Sequence, residues 1–227
     1  MIERLPELLG PHAGPLFALA CCGLFVAILF EQAQLLAKYH GARRGAVATG
    51  YNNAMKLVVG NRFGAVTYFF FIALAIDSGL AAPAIAQGLA TVIAAMALAN
   101  VALFAVYAHK LNPGIPAREL FAPHGGFGRG EKLALAGAFI AALFGYAGLT
   151  VPMIWSATHP QLRLTFANSG FLFNTVFTLV NVFLVEQRVA DLIDRGSEAI
   201  RPFIAWAFVM RLLAALALVP LLARLAP

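Results

Sequence analysis

The sequence predicts an all-α polytopic integral membrane protein of about six transmembrane helices, and two observations lead to that prediction. Apolar residues make up 61% of the 227 positions and charged residues only 11%, which is far from the composition of a soluble domain. The apolar residues also come in long runs that do not alternate with polar ones. In lipid only helices and closed barrels satisfy the backbone, and unalternating runs favour helices.

Six apolar runs are each long enough to cross a hydrocarbon core of about 30 Å. They cover residues 15–38, 46–76, 79–108, 132–155, 165–190 and 199–224. We therefore expect a single transmembrane domain over 1–227. The longest connection, 109–131, contains three prolines and is predicted to be a cytoplasmic loop that is ordered but irregular.

Lysine and arginine are unequally distributed between the two sets of connections. Ten of the sixteen basic residues lie in or beside the first, third and fifth connections, and three lie on the other side. Because basic residues are retained in the cytoplasm, this predicts a multi-pass protein of the inner (cytoplasmic) membrane with both termini outside the cytoplasm. The net charge of +6 is then a topology signal, and no nucleic-acid partner is expected.

The second segment is too long for one straight crossing, since 31 residues at about 1.5 Å each exceed the core thickness. It must tilt, extend beyond the core or break. Gly60 and Gly64, which flank Asn61 and Arg62, are the expected position for a break. Interrupted helices recur at the substrate sites of transporters.

Three basic side chains lie well inside the predicted helices, away from their ends, where a central charge costs about 2.5–3.5 kcal/mol and faces a partner or a water-filled cavity. Lys56 and Arg211 fall near the midplane and Arg62 toward the outside. They either fix helix packing, through salt bridges or snorkelling, or line a path for an anionic substrate. The second interpretation is favoured because the acids Glu31 and Glu186 lie toward the cytoplasmic ends.

Polar residues form a stripe on the fifth segment, within about 80° of one another on a helical wheel. Amides and hydroxyls in membranes often bond neighbouring helices. They also suit a sugar or phosphate headgroup, and both interpretations stay open. The stripe consists of Asn174, Thr178, Asn181 and Arg188, and a similar cluster on the second segment consists of Asn52, Asn53 and Lys56.

The first two and the last two segments correspond at a constant offset of 155 residues. The matched pairs are Glu31 with Glu186, Gln32 with Gln187, Gly41 with Gly196, and Lys56 with Arg211. Parallel repeats of this kind build transporter sites at their interface. Chance similarity between short apolar hairpins is the alternative.

The sequence contains no pattern typical of an enzyme or a metal site. The five histidines all lie in tails or loops, which argues against intramembrane haem or zinc ligation. The HExxH and GxSxG motifs are missing. We expect neither catalysis nor a bound cofactor or metal.

The stretch 160–196, PQLRLTFANSGFLFNTVFTLVNVFLVEQRVADLIDRG, precedes a helix with Arg211 and Pro220. It resembles the C-terminal half of the Amj family of alternate lipid II flippases. The stretches AKYHGARRGAVATGYNN and LVVGNR after Glu31 resemble the family's N-terminal half more loosely. The chain departs from the family pattern at Glu186 and Gln187, where an Asp-Pro is expected, and in a longer spacing from Asn53 to Arg62.

The resemblance implies transport of the undecaprenyl-pyrophosphate-linked peptidoglycan precursor, lipid II, between leaflets. Membrane lipids would be its other partners. The basic residues would bind pyrophosphate and the amides sugars, while Glu31 and Glu186 would be proton carriers or salt-bridge partners. A homodimer is expected, because six helices are few for so large a headgroup. A small-solute or ion transporter and a scaffold subunit are the rival interpretations.

Overall fold

The computed structural model describes residues 10–122, 126–196 and 198–225, and this part of the chain is helical. Six helical segments are long and apolar enough to cross a membrane. They are α1 (Gly10–Arg43), α2 (Val47–Asp77), α3 (Ala82–Leu111), α4 (Arg129–Thr158), α5 (Pro160–Asp194) and α6 (Ile200–Arg224). The predicted fold class, an all-α multi-pass membrane protein, is confirmed.

Two tight turns connect the first three helices. Gly45 and Gly79 have positive φ angles of 68° and 84°, which side chains other than glycine rarely adopt. After α1, the N–H of Ala46 donates to the Gly41 carbonyl and the N–H of Gly45 donates to that of Ala42. This is the Schellman pattern that ends a helix and reverses the chain.

The helices α1 and α2 form a hairpin with almost no space between the two backbones. A Cβ atom added to Gly41 would lie 2.4 Å from the Cα of Gly50, and one added to Gly64 would lie 2.6 Å from the backbone nitrogen of Ala27. Small residues permit this close approach between membrane helices. α2 runs unbroken from Val47 to Asp77, so the break considered at Gly60 and Gly64 is not present. Packing along α1 supports α2 as one continuous helix.

The helices α1, α3, α4 and α6 form a central group, and α2 and α5 lie outside it. α6 packs against α3 and α4, α1 packs against α3, and α5 lies almost wholly against α4. As outer helices, α2 and α5 expose large apolar side chains, such as Phe63 (71% exposed) and Phe171 (72%). Such side chains match the acyl chains of a bilayer.

The last two helices do not form a packed hairpin like the first two. α5 and α6 contact each other only beside their connection. In the sequence, segments one and two correspond to segments five and six. The packing of the helices does not repeat this correspondence.

The helices α1, α3 and α5 finish at the same end of the bundle, which we call the basic end. There the Tyr39 hydroxyl donates to the Asn112 amide oxygen at 2.6 Å, and the Tyr107 hydroxyl donates to the Arg201 carbonyl at 2.6 Å. The connection after α3 contains a short helix, Ala117–Phe121, where the sequence predicted no regular structure. Positions 123–125 of this connection lie outside the described residues.

Candidate functional site

An open cleft of about 490 Å³ lies between α2 and α5 near the basic end. Its lining residues are Tyr51 from α2 and Val182, Phe183, Glu186, Gln187 and Ala190 from α5. α2 and α5 are not packed against each other, so the cleft opens sideways. Its walls belong to the two helices that expose the most apolar surface to the surroundings of the bundle.

An ion pair between α1 and α5 includes Glu186, one of the residues that line this cleft. The Lys38 ammonium pairs with the Glu186 carboxylate and lies 5.4 Å from the centre of the Tyr51 ring. The Lys38 side chain is only 9% exposed, so loss of Glu186 would leave a buried charge without its partner. The sequence analysis used Lys38 as a topology signal and missed this role, because its partner is 148 residues away.

A π-helical turn in α5, Asn181–Glu186, decides which charged residue faces the cleft. Such a turn accommodates one extra residue and rotates the rest of the helix by about 100° relative to a regular helix. Glu186 therefore lies on the same side of α5 as Thr178. Arg188 leaves the predicted stripe and pairs instead with Glu131 on α4. The predicted single face containing Arg188 assumed a regular helix, which α5 is not.

The helical phase of α2 separates the polar residues that the sequence grouped together. Arg62 follows Tyr51 by eleven residues, which places it within about 20° of the same face. Lys56 follows Tyr51 by five residues and is therefore about 140° away. Both side chains are exposed, but Arg62 lies on the side of the cleft and Lys56 on the far side, together with the exposed Asn52 and Asn53.

The polar residues of α5 that precede the π turn extend the same wall. Asn174 and Thr178 are exposed and Asn181 is half-buried. Their neighbours Phe173 and Phe177 pack against glycines of α4, which leaves the polar side chains free of that interface. The structure thus places Asn174, Thr178 and Glu186 along one side of α5, at successive heights.

A second group of polar side chains is buried in the centre of the bundle. Arg211 on α6 is only 5% exposed, and its Nη1 has no hydrogen-bond partner among the described residues. The Gln32 amide nitrogen donates to the Tyr146 hydroxyl at 2.8 Å, while its amide oxygen is also unpaired in that part of the chain. Glu31, which precedes Gln32 on α1, is half-buried and lies near both Arg211 and Glu186. A free donor and a free acceptor in one cluster suit a water molecule or a small polar ligand.

Two further features escaped the sequence analysis. At the end opposite the basic end, the Arg163 guanidinium pairs with the Asp77 carboxylate, joining the start of α5 to the end of α2. At the basic end, a cavity of about 250 Å³ is lined by Tyr39, Asn112 and Arg201 among others. Neither feature has a local sequence signature, because each brings together residues from distant connections.

No protein-family model, curated protein or solved structure matches this chain. Its function must therefore be inferred from its own sequence and geometry.

Proposed function

We propose that the protein moves a lipid-linked glycan of the undecaprenyl-pyrophosphate type between the leaflets of the cytoplasmic membrane. The observation that carries the proposal is the sideways cleft between α2 and α5, together with the exposed Arg62, Asn174 and Thr178, which continue the same sides of these two helices beyond the cleft, away from the basic end. A prenyl chain can stay in lipid outside the gap between α2 and α5 while its headgroup passes along these polar side chains.

Arg62, Asn174 and Thr178 provide the chemistry that a pyrophosphate-sugar headgroup needs. A guanidinium such as that of Arg62 gives charge-assisted hydrogen bonds to phosphate oxygens and replaces part of their hydration. The Asn174 amide and Thr178 hydroxyl donate and accept hydrogen bonds, as sugar hydroxyls require. The resemblance of residues 160–196 to lipid II flippases supports lipid II as the specific substrate. The distribution of basic residues supports a cytoplasmic location for the basic end.

A small-solute or ion-coupled transporter is the second candidate, and the buried group around Arg211 favours it. An unpaired donor on Arg211 and an unpaired acceptor on Gln32 could hold a small solute inside the bundle. In that case the cleft would be only a lipid-facing groove.

The test measures transfer of labelled lipid II between leaflets in proteoliposomes. We expect Arg62→Gln to slow transfer about tenfold or more, since a hydrogen bond to a charged group contributes about 1.5–3 kcal/mol. Asn174→Ala should slow it less. Gln87→Ala is the matched control, because Gln87 is an exposed amide on α3, away from the cleft.

Lys56→Gln provides a sharper comparison within α2. An effect as large as that of Arg62→Gln would mean that the substrate does not follow the side of α2 that faces α5. If the wild-type protein does not accelerate transfer of lipid II, the proposed substrate is wrong. Flux of a small ion or solute that depends on Arg211 would then favour the second candidate.

A further inference from the structure

The cleft is bounded by two helical pairs that are each firmly packed within themselves. α1 and α2 are in backbone contact at Gly41 and Gly64. α5 lies along α4 and places Phe173 and Phe177 over its glycines. The α1–α2 pair and the α4–α5 pair are therefore the natural rigid units, and relative motion would open or close the cleft between α2 and α5.

Among the described residues, two ion pairs join these units, one toward each end of α5. At the basic end Lys38 of α1 pairs with Glu186 of α5, and at the opposite end Asp77 of α2 pairs with Arg163 of α5. Other ion pairs of α5 stay inside one unit. Arg188 binds Glu131 of α4, and Arg195 binds Asp191 of the same helix at 2.6 Å.

Between the two ion pairs lies a buried contact that suits a pivot. Tyr68 of α2 is fully buried, and its hydroxyl donates to the Leu149 carbonyl of α4. Rocking about this contact would lengthen the distance across one end of the cleft and shorten it across the other. Rigid-body rocking around a fixed site is the usual means of alternating access in transporters.

We propose that Lys38–Glu186 and Asp77–Arg163 are two latches that are broken alternately, so that the cleft opens to one side of the membrane at a time. This inference rests on the proposed transport function and gives it a gating mechanism. The two latches differ in strength. The Lys38–Glu186 side chains are 9% and 23% exposed, whereas those of Arg163 and Asp77 are 37% and 51% exposed. An exposed ion pair is screened by solvent, so the latch at the basic end is the tighter one.

The test measures from which side a cysteine on α5 between the two latches can be labelled. Thr178→Cys is introduced after Cys21→Ala and Cys22→Ala, and a membrane-impermeant maleimide is added to either side of proteoliposomes of known orientation. Lys38→Gln should raise the labelling rate from the side of the basic end by about threefold or more, as loss of one latch shifts a two-state equilibrium. Asp77→Asn should raise it from the other side, by a smaller factor.

A control variant and a rescue variant distinguish opening of the latches from a general loss of helix packing. Arg195→Gln removes an ion pair within α5 and should leave both rates unchanged. Exchanging the charges, with Lys38→Glu and Glu186→Lys together, should restore the wild-type rates. The proposal is overturned if the single variants change neither rate, if Arg195→Gln has the same effect, or if Thr178→Cys is never labelled. Labelling requires no substrate. If the variants change the labelling rates as expected but the protein does not transfer lipid II, the proposed substrate is wrong and the proposal of two latches stands.

Discussion

The two helical pairs beside the cleft are held together in different ways. In the α1–α2 pair glycine backbones touch, and a Cβ on Gly64 would lie 2.6 Å from the Ala27 nitrogen and 2.8 Å from the Gly23 carbonyl oxygen. In the α4–α5 pair the backbones approach at one place, where a Cβ on Gly170 would lie 3.0 Å from the Gly148 carbonyl oxygen. Elsewhere side chains mediate the contact, as at Gly145, where an added Cβ would lie 3.1 Å from the Phe177 ring. A backbone cannot yield without moving the whole helix, whereas a ring can turn. The first pair is therefore rigid in register and the second adaptable.

Gly64→Ala should have the largest effect. The new methyl group would force α1 and α2 apart, because its close neighbours are backbone atoms, and we expect a loss of about 3 kcal/mol in the free energy of unfolding. Unfolding in mixed detergent micelles measures it. Gly14→Ala is the control, since Gly14 has no neighbour within 4 Å of the added Cβ and alanine favours helix by up to about 1 kcal/mol. Equal stability of the two variants would refute the description of α1–α2 as a backbone contact.

Tyr68→Phe should have an intermediate effect and tests the bond that joins the two pairs. It removes the hydrogen bond from α2 to the Leu149 carbonyl on α4 and keeps the buried ring. We expect the free energy of unfolding to fall by about 1 kcal/mol. Infrared or hydrogen-exchange measurements on α2 should also report more frequent opening. Unchanged exchange would argue against Tyr68 as the central connection.

Gly145→Ala should have the smallest effect. The Phe177 ring can shift by the few tenths of an ångström that the methyl group requires, and the gain in helix propensity offsets part of that cost. The net change in the free energy of unfolding should stay within about 1 kcal/mol of zero. A loss as large as that of Gly64→Ala would mean that α4 and α5 are as rigidly packed as α1 and α2.

Most of the fold could be predicted from hydropathy, because a helix that crosses lipid must be apolar over its whole length. The packing partners could not. The sequence pattern predicted that the fifth and sixth segments match the hairpin of the first two, but α5 packs on α4. The short connection at His159 and glycines such as Gly148 on α4 allow that contact. Which helices lie side by side depends on surface shape, which hydropathy does not record.

The candidate site could be predicted in composition but not in arrangement. The wheel for α5 assumed 3.6 residues per turn, so it grouped Arg188 with Thr178 and left Glu186 outside. Lys56 and Arg62 on α2 were grouped because both are charged. That grouping did not take account of which side of α2 is covered by α1. Lys38 looked like a loop residue because its partner Glu186 is remote in sequence.

The π turn also has a consequence for changes in chain length. α5 contains one residue more than a regular helix with the same contacts at both ends would need. Deleting one outward-facing residue of this turn, such as Phe183 (63% exposed), would give a regular helix in which Glu186 still faces Lys38 and Arg188 still faces Glu131. A one-residue deletion is therefore expected to be tolerated at this point, whereas one elsewhere in α5 would put every later residue out of phase.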